Sequence, residues 1–261
     1  MRIALGLEYD GAGFCGWQSQ ADRGSVQDAL EAALAKVAAA PLRVVCAGRT
    51  DAGVHALAQV VHFDTEAQRP LTAWVRGVNA HLPATIAVRW AQQVSEAFHA
   101  RFCARGRHYR YLLLNRPQRP GLWSHRVGWQ HQPLAVEAMR EAAHFLLGEH
   151  DFSAFRSAEC QAKSPIKTLR RLDIERQGEF IVLDFAANAF LHHMVRNLVG
   201  ALVQVGKGSQ RPQWVGEILV ARDRQRAAAT FAASGLYFAG VDYDAVWQIK
   251  VGAGDTASIL F

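Results

Sequence analysis

From Arg2 to Tyr9 the chain alternates, with Ile3, Leu5, Leu7 and Tyr9 on one face, which is the period of a half-buried strand. The period then lengthens. GSVQDALEAALAKVAAAP predicts a helix with Ser25 as N-cap, Asp28 three residues on to complete a capping box, and Pro41 to close it. LRVVCAG and LAQVVHFDT return to strand patterning. LTAWVRGVNAHL, opened by Pro70, predicts a second helix, and TIAVRWAQQV a further strand.

The second half repeats this order. A strand is predicted at GRHYRYLLLN, a helix at LAVEAMREAAHFLLG, two strands around LRRLDIER and FIVLDFAAN, and a helix at LHHMVRNLVGALVQVG. A short helix around Trp214 to Ala221 and a last strand or two from Leu236 to Lys250 follow. Each half therefore runs β-α-β-β-α-β, the ferredoxin-like order, and the fold class is α/β (α+β) with a mixed, largely antiparallel sheet. The halves share topology and not sequence. The boundary is expected between Arg101 and Gly106, giving an N-terminal domain 1–104 and a C-terminal domain 105–261.

Composition adds a partner class. Lys and Arg number 29 against 23 Asp and Glu, a formal charge of +6 with a sequence pI near 9.4, which fits an anionic partner or a merely basic soluble surface. Cys15, Cys46, Cys103 and Cys160 stand far apart, with no zinc-finger spacing, so reduced thiols are expected. MRIALGLEYDGAGF lacks the continuous apolar core of a signal peptide, and no apolar run reaches membrane-spanning length. A cytoplasmic protein with no membrane partner is expected.

Candidate chemistry narrows by elimination. Gly11 to Gly16 matches the dinucleotide pattern G-x-G-x-x-G after a strand, but the next helix cap, Ser25, lies nine residues beyond Gly16, too far to aim helix N–H groups at a pyrophosphate. The intervening loop also carries Trp17, Gln18, Asp22 and Arg23, and reads as a substrate-touching glycine loop. His192 and His193, read as adjacent helical residues, point about a quarter-turn apart and do not share a metal well. There is no G-x-S-x-G elbow and no carboxylate pair. RFCARGRHYRY, from Arg101 to Tyr111, interleaves arginines with aromatics as RNA-binding strands do, or else as a core strand with a solvated edge. Asp51 in CAGRTDAGVHA reads either as a turn acid before Gly53 or as a lone reactive carboxylate.

Five blocks in order, YDGAGFCGWQSQ with SVQDALEAAL, GRTDAGVHA, FHARFCARGRHYRYLLLN, HDFSAFR with CQAKSP, and FLHHMVRNLVGALVQVGKG, resemble the tRNA pseudouridine synthase A family over nearly the whole chain. The resemblance implies isomerisation of uridine to pseudouridine at positions 38, 39 and/or 40 of the tRNA anticodon stem-loop, without cofactor or metal, by a homodimer. It implies Asp51 as the catalytic group, either nucleophile or base, and an active-site cleft between the halves. Arg196 resembles the family's basic partner of that carboxylate, Tyr109 its base-stacking tyrosine, and Arg49 the arginine that fills the space of the flipped nucleotide. Phe190 and Leu191 are expected to wall the pocket. The competing readings are a non-catalytic RNA-binding or chaperone module, a nicotinamide-dependent oxidoreductase using Gly11 to Gly16, and a hydrolase that releases the base.

Overall fold

The computed structural model describes residues 1–20 and 24–249; Asp22, Arg23 and Lys250 lie outside the described residues. Strand β1, Arg2–Tyr9, is buried on both faces rather than one, and only Glu8 is exposed. The reason is Gly6. A methyl group there would overlap the Trp90 ring, 2.0 Å from its nitrogen, so the indole lies over the strand where a side chain would stand.

Helix α1, Val26–Ala38, starts on the expected capping box: Ser25 Oγ accepts the Asp28 N–H at 3.0 Å and the Ser25 N–H donates to the Asp28 carboxylate. It stops where Ala39 turns left-handed, φ 57°, ahead of Pro41. Strand β2 shrinks to Val45–Cys46 and pairs antiparallel with β3, His55–Asp64. The predicted helix after Pro70 is wound as a π-helix over Ala73–Gly77, around a Trp74 buried against Phe63. Strand β4, Ile86–Val94, lies antiparallel to β1, which lies antiparallel to β3.

Strand β5, Ala104–Asn115, carries the division of the chain into two units, Met1–Arg107 with the segment from Tyr237 onward, and His108–Leu236. The division falls inside a strand, three residues past the expected 104/105 boundary. The second unit continues with β6 (Gly128–Gln130), α2 (Val136–His144), β7 (Gly148–Asp151), β8 (Ile166–Gln177), β9 (Phe180–Ala187), α3 (Met194–Gly206) and α4 (Gln213–Ala221). Its strands run in the order β5-β9-β8-β7 with β6 beside β5, and α2 packs on α3 and β8. Strand β10, Leu236–Tyr243, pairs parallel with β3 through Tyr237 opposite His55 and Phe238 opposite Ala56. The strand expected to finish the C-terminal domain thus completes the first unit's sheet, in the order β4-β1-β3-β10. No described helix is long and apolar enough to cross a membrane.

Candidate active site

Asp51 sits in the connection between β2 and β3, and the backbone around it is tied down on several sides. The Ala47 N–H donates to Val60 O at 2.8 Å and buried Gln59 Nε2 donates to Gly48 O at 2.7 Å, prolonging the β2–β3 ladder. Thr50 is buried, its hydroxyl 2.8 Å from the Tyr9 phenol and its carbonyl accepting the Trp17 N–H at 2.9 Å. The Val54 N–H returns to Asp51 O at 3.1 Å, closing a turn in which Gly53 takes a φ of 76°. Between these anchors Asp51 is half-buried, while Arg49 and Ala52 are exposed.

The neighbouring groups are structural. Burial pushes the Cys46 thiol up to about 12, which removes it as a nucleophile at neutral pH. Buried His55 accepts the Gly11 N–H at Nδ1, 3.1 Å, and stacks on Tyr237 with ring centres 4.7 Å apart.

The glycines of the Gly11–Gly16 loop serve this same connection. A Cβ on Gly11 would lie 2.0 Å from Val54 O, and one on Gly16, at φ 92°, would lie 2.7 Å from Thr50 O. Gly13 would meet nothing within 4 Å. Two of the three fingerprint glycines therefore exist so that one loop can lie on another.

In the second unit, half-buried Tyr109 meets Phe190 edge to face, with ring centres 5.0 Å apart. Leu191 is buried. His192 and His193 precede α3 rather than lie on it; His193 caps the helix with φ 61°, and the two rings stand 4.0 Å apart. On α3, Arg196 Nε donates to Phe231 O at 2.9 Å while Arg196 O accepts the Phe231 N–H, so both ends of the residue are fixed to one neighbour. The next residue, Asn197, escaped sequence reasoning. Fully buried, it donates to Phe155 O at 2.8 Å and accepts from Thr230 Oγ1 at 2.7 Å and Arg224 at 3.1 Å. Its only sequence signal is an amide inside an otherwise apolar helix stripe.

The family model described as tRNA pseudouridine synthase matches residues 7–103 and 142–244. The chain belongs to the tRNA pseudouridine synthase family. It is 66% identical over 249 residues to tRNA pseudouridine synthase A of Dechloromonas aromatica, 95% of each chain, and 60% identical over 245 residues to that of Thiobacillus denitrificans, 94% of each. The counterpart in Nitrosomonas eutropha is 59% identical over 95% of this chain and 90% of its own. Membership in the tRNA pseudouridine synthase family bears out the isomerase reading and sets aside the oxidoreductase and hydrolase readings.

For a tRNA pseudouridine synthase the arginine-rich segment divides unexpectedly. Arg107 donates to the carbonyls of Ala47, Arg101 and Ala104. Buried Arg110 forms a two-pronged pair with Asp184, both bonds 2.8 Å, and Arg105 pairs with Asp244 at the surface. Tyr111 is core, its hydroxyl donating to Ala232 O at 2.8 Å. The mixed RNA-strand reading thus holds neither for Arg107 nor for Arg110 and Tyr111, which build the scaffold; Arg101 remains exposed.

Proposed function

We propose that this protein converts uridine to pseudouridine at positions 38, 39 and/or 40 of the tRNA anticodon stem-loop, with Asp51 as its catalytic carboxylate. The observation that supports this most is the immobilised connection around Asp51: Thr50 is bonded through both hydroxyl and carbonyl, Val54 is buried, and one half-buried acid is presented between them. The reaction needs one such group. The C1′–N1 bond of uridine breaks, the uracil turns, a C1′–C5 bond forms, the C5 proton leaves and N1 gains one. There is no net redox change, so no cofactor is consumed.

Asp51 acts as nucleophile at the sugar or as base toward a ribose proton. Arg49, exposed two residues earlier, occupies the space of the flipped nucleotide, a role suited to a planar cation. Tyr109 stacks on the uracil, since stacking tolerates rotation in the ring plane, and Phe190 holds the Tyr109 ring at its edge. Arg196, its guanidinium oriented by Phe231, supplies positive charge to the carboxylate. The protein works in the cytoplasm as a homodimer on one tRNA.

The deciding experiment maps pseudouridine in unmodified tRNA incubated with wild type and with Asp51→Ala, no cofactor added. Wild type is expected to convert the anticodon-arm uridines while Asp51→Ala binds tRNA and makes no product. Conversion by Asp51→Ala at the wild-type rate would overturn the assignment in favour of another group, and loss of conversion in both would favour a non-catalytic RNA-binding module.

A further inference from the structure

Phe102 is 76% exposed, on a turn that is held more tightly than an idle surface turn requires. Arg2 donates to Phe98 O at 2.8 Å and Tyr243 Oη to Ala100 O at 2.6 Å, while the Ala100 N–H donates to His62 Nδ1 at 3.1 Å. Arg107 donates to Arg101 O at 2.8 Å. The N–H groups of Arg101 and Phe102 both donate to His99 Nδ1 at 3.2 Å, so the imidazole is fixed beneath them.

The Phe102 ring lies on that imidazole, with centres 4.2 Å apart and planes 26° from parallel, and the Arg101 guanidinium stands 5.8 Å from the ring centre. Burial and the cations Arg2 and Arg101 push His99 below the ordinary imidazole range, which favours its neutral form near neutral pH.

A single exposed apolar residue is ordinary. Here the ring is held by a stacked partner on its inner face and has a cation at its side, and the backbone of its turn is tied to the connection that carries Asp51. That last link is Arg107, whose one guanidinium donates to both Arg101 O and Ala47 O; Ala47 lies four residues before Asp51.

We propose that Phe102 is a stacking platform for a second, unpaired nucleobase of the tRNA substrate, with Arg101 supplying charge to an adjoining phosphate. The inference rests on the proposed function. A flat π-face accepts any base, whereas an apolar protein partner would need only bulk. Nucleotide stacking also leaves the number of displaced counterions unaltered when the aromatic ring alone is removed.

The test is equilibrium binding of unmodified tRNA to the full-length protein across a salt series, with Phe102→Ala, Phe102→Leu and Phe102→Trp, and thermal melting of each to show that the fold is kept. Phe102→Ala and Phe102→Leu are expected to bind about tenfold more weakly, Phe102→Trp within roughly threefold of wild type, all with the wild-type salt slope. Arg101→Gln is expected to reduce the salt slope by about one. If the wild type binds and converts tRNA while Phe102→Ala binds equally well, or Phe102→Leu matches Phe102→Trp, the platform is wrong and the proposed function stands. A wild type that binds no tRNA overturns both.

Discussion

The phenol of Tyr9 and the hydroxyl of Thr50 meet at 2.8 Å in a buried hydrogen bond, joining the last residue of β1 to the residue before Asp51. Burial raises the Tyr9 phenol well above its ordinary range, so at neutral pH it is a neutral donor or acceptor. Thr50 has no comparable freedom, because its carbonyl also receives the Trp17 N–H. The bond therefore ties the end of β1 to the connection that carries Asp51.

Tyr9→Phe should cost about 1–2 kcal/mol by stranding the Thr50 hydroxyl in the interior. With Asp51 as the proposed catalytic group, turnover should fall more than tRNA affinity, since the lost bond is buried and holds the residue before it. Thr50→Val in the Tyr9→Phe background should recover much of the stability, because both polar partners are then gone, without recovering turnover. Denaturant melts and single-turnover pseudouridine formation check this; turnover unchanged in Tyr9→Phe would show that the bond does not orient the acid.

The glycine loop gives a prediction that separates packing from nucleotide binding. Gly16→Ala must hold a left-handed backbone and push a methyl group into Thr50 O, and Gly11→Ala must displace Val54 O. Each should cost about 2 kcal/mol or more and depress turnover. Gly13→Ala meets open space and should match wild type in melting and in activity. A dinucleotide fingerprint would make the middle glycine sensitive as well, so equal sensitivity of all three positions would be the wrong result for the packing account.

Where the signal was local, sequence disclosed the structure. The capping box of α1 needs only Ser25 and Asp28, and both do as expected. The β1 alternation misled because Ala4 and Gly6 carry no polarity signal, and what covers Gly6 is Trp90, distant in sequence. Strand β10 has a strand's composition, but nothing in it announces that it pairs parallel with β3, far back in the chain. The same limit applies to RFCARGRHYRY: its composition suits RNA, while the acceptors that claim Arg107 and Arg110 are the Ala47 carbonyl and Asp184, visible only in three dimensions. Asp51 was readable as a solitary acid, and the family resemblance implies a role for it.

On α3, Asn197 follows Arg196 and bonds the segment, through Thr230 and Arg224, that also holds Arg196 through Phe231. Asn197→Ala leaves Phe155 O without its donor and Arg224 without one of its acceptors inside the second unit, a loss expected at about 2–4 kcal/mol. Arg196 would lose the support of the 224–231 segment that fixes its guanidinium, so kcat should drop in the surviving folded fraction. Asn197→Ala with wild-type melting would mean the amide is dispensable.

Tyr109 should affect the chemical step more than binding. Tyr109→Leu keeps apolar bulk against Phe190 but loses the ring face and hydroxyl, so single-turnover conversion should fall by about 100-fold while the tRNA Kd changes by less than about threefold. Phe190→Ala should give a smaller loss of the same kind, because it frees the Tyr109 ring without removing it. Unchanged conversion in Tyr109→Leu would take Tyr109 out of the active site.

His62 sets an acid limit on the fold. It is buried, and burial, together with the positive charge of Arg2 and of His99, pushes its imidazole down to about 4, against a weaker upward pull from Asp64. In the unfolded chain the same group titrates near 6.5. Between those values the unfolded state binds a proton that the folded state refuses, so stability is full above about pH 7 and declines as pH falls toward 4, by about 2–3 kcal/mol from this residue. Only as the pH reaches about 4 does folded His62 itself take a proton, which places an N–H where the Ala100 N–H needs an acceptor, so the turn bearing Phe102 should loosen at that acid end. His62→Gln keeps an acceptor and cannot titrate. Denaturant melts from pH 7 to 4 should therefore show the stability gap between wild type and His62→Gln narrowing as pH falls; parallel curves would mean that His62 does not set the limit.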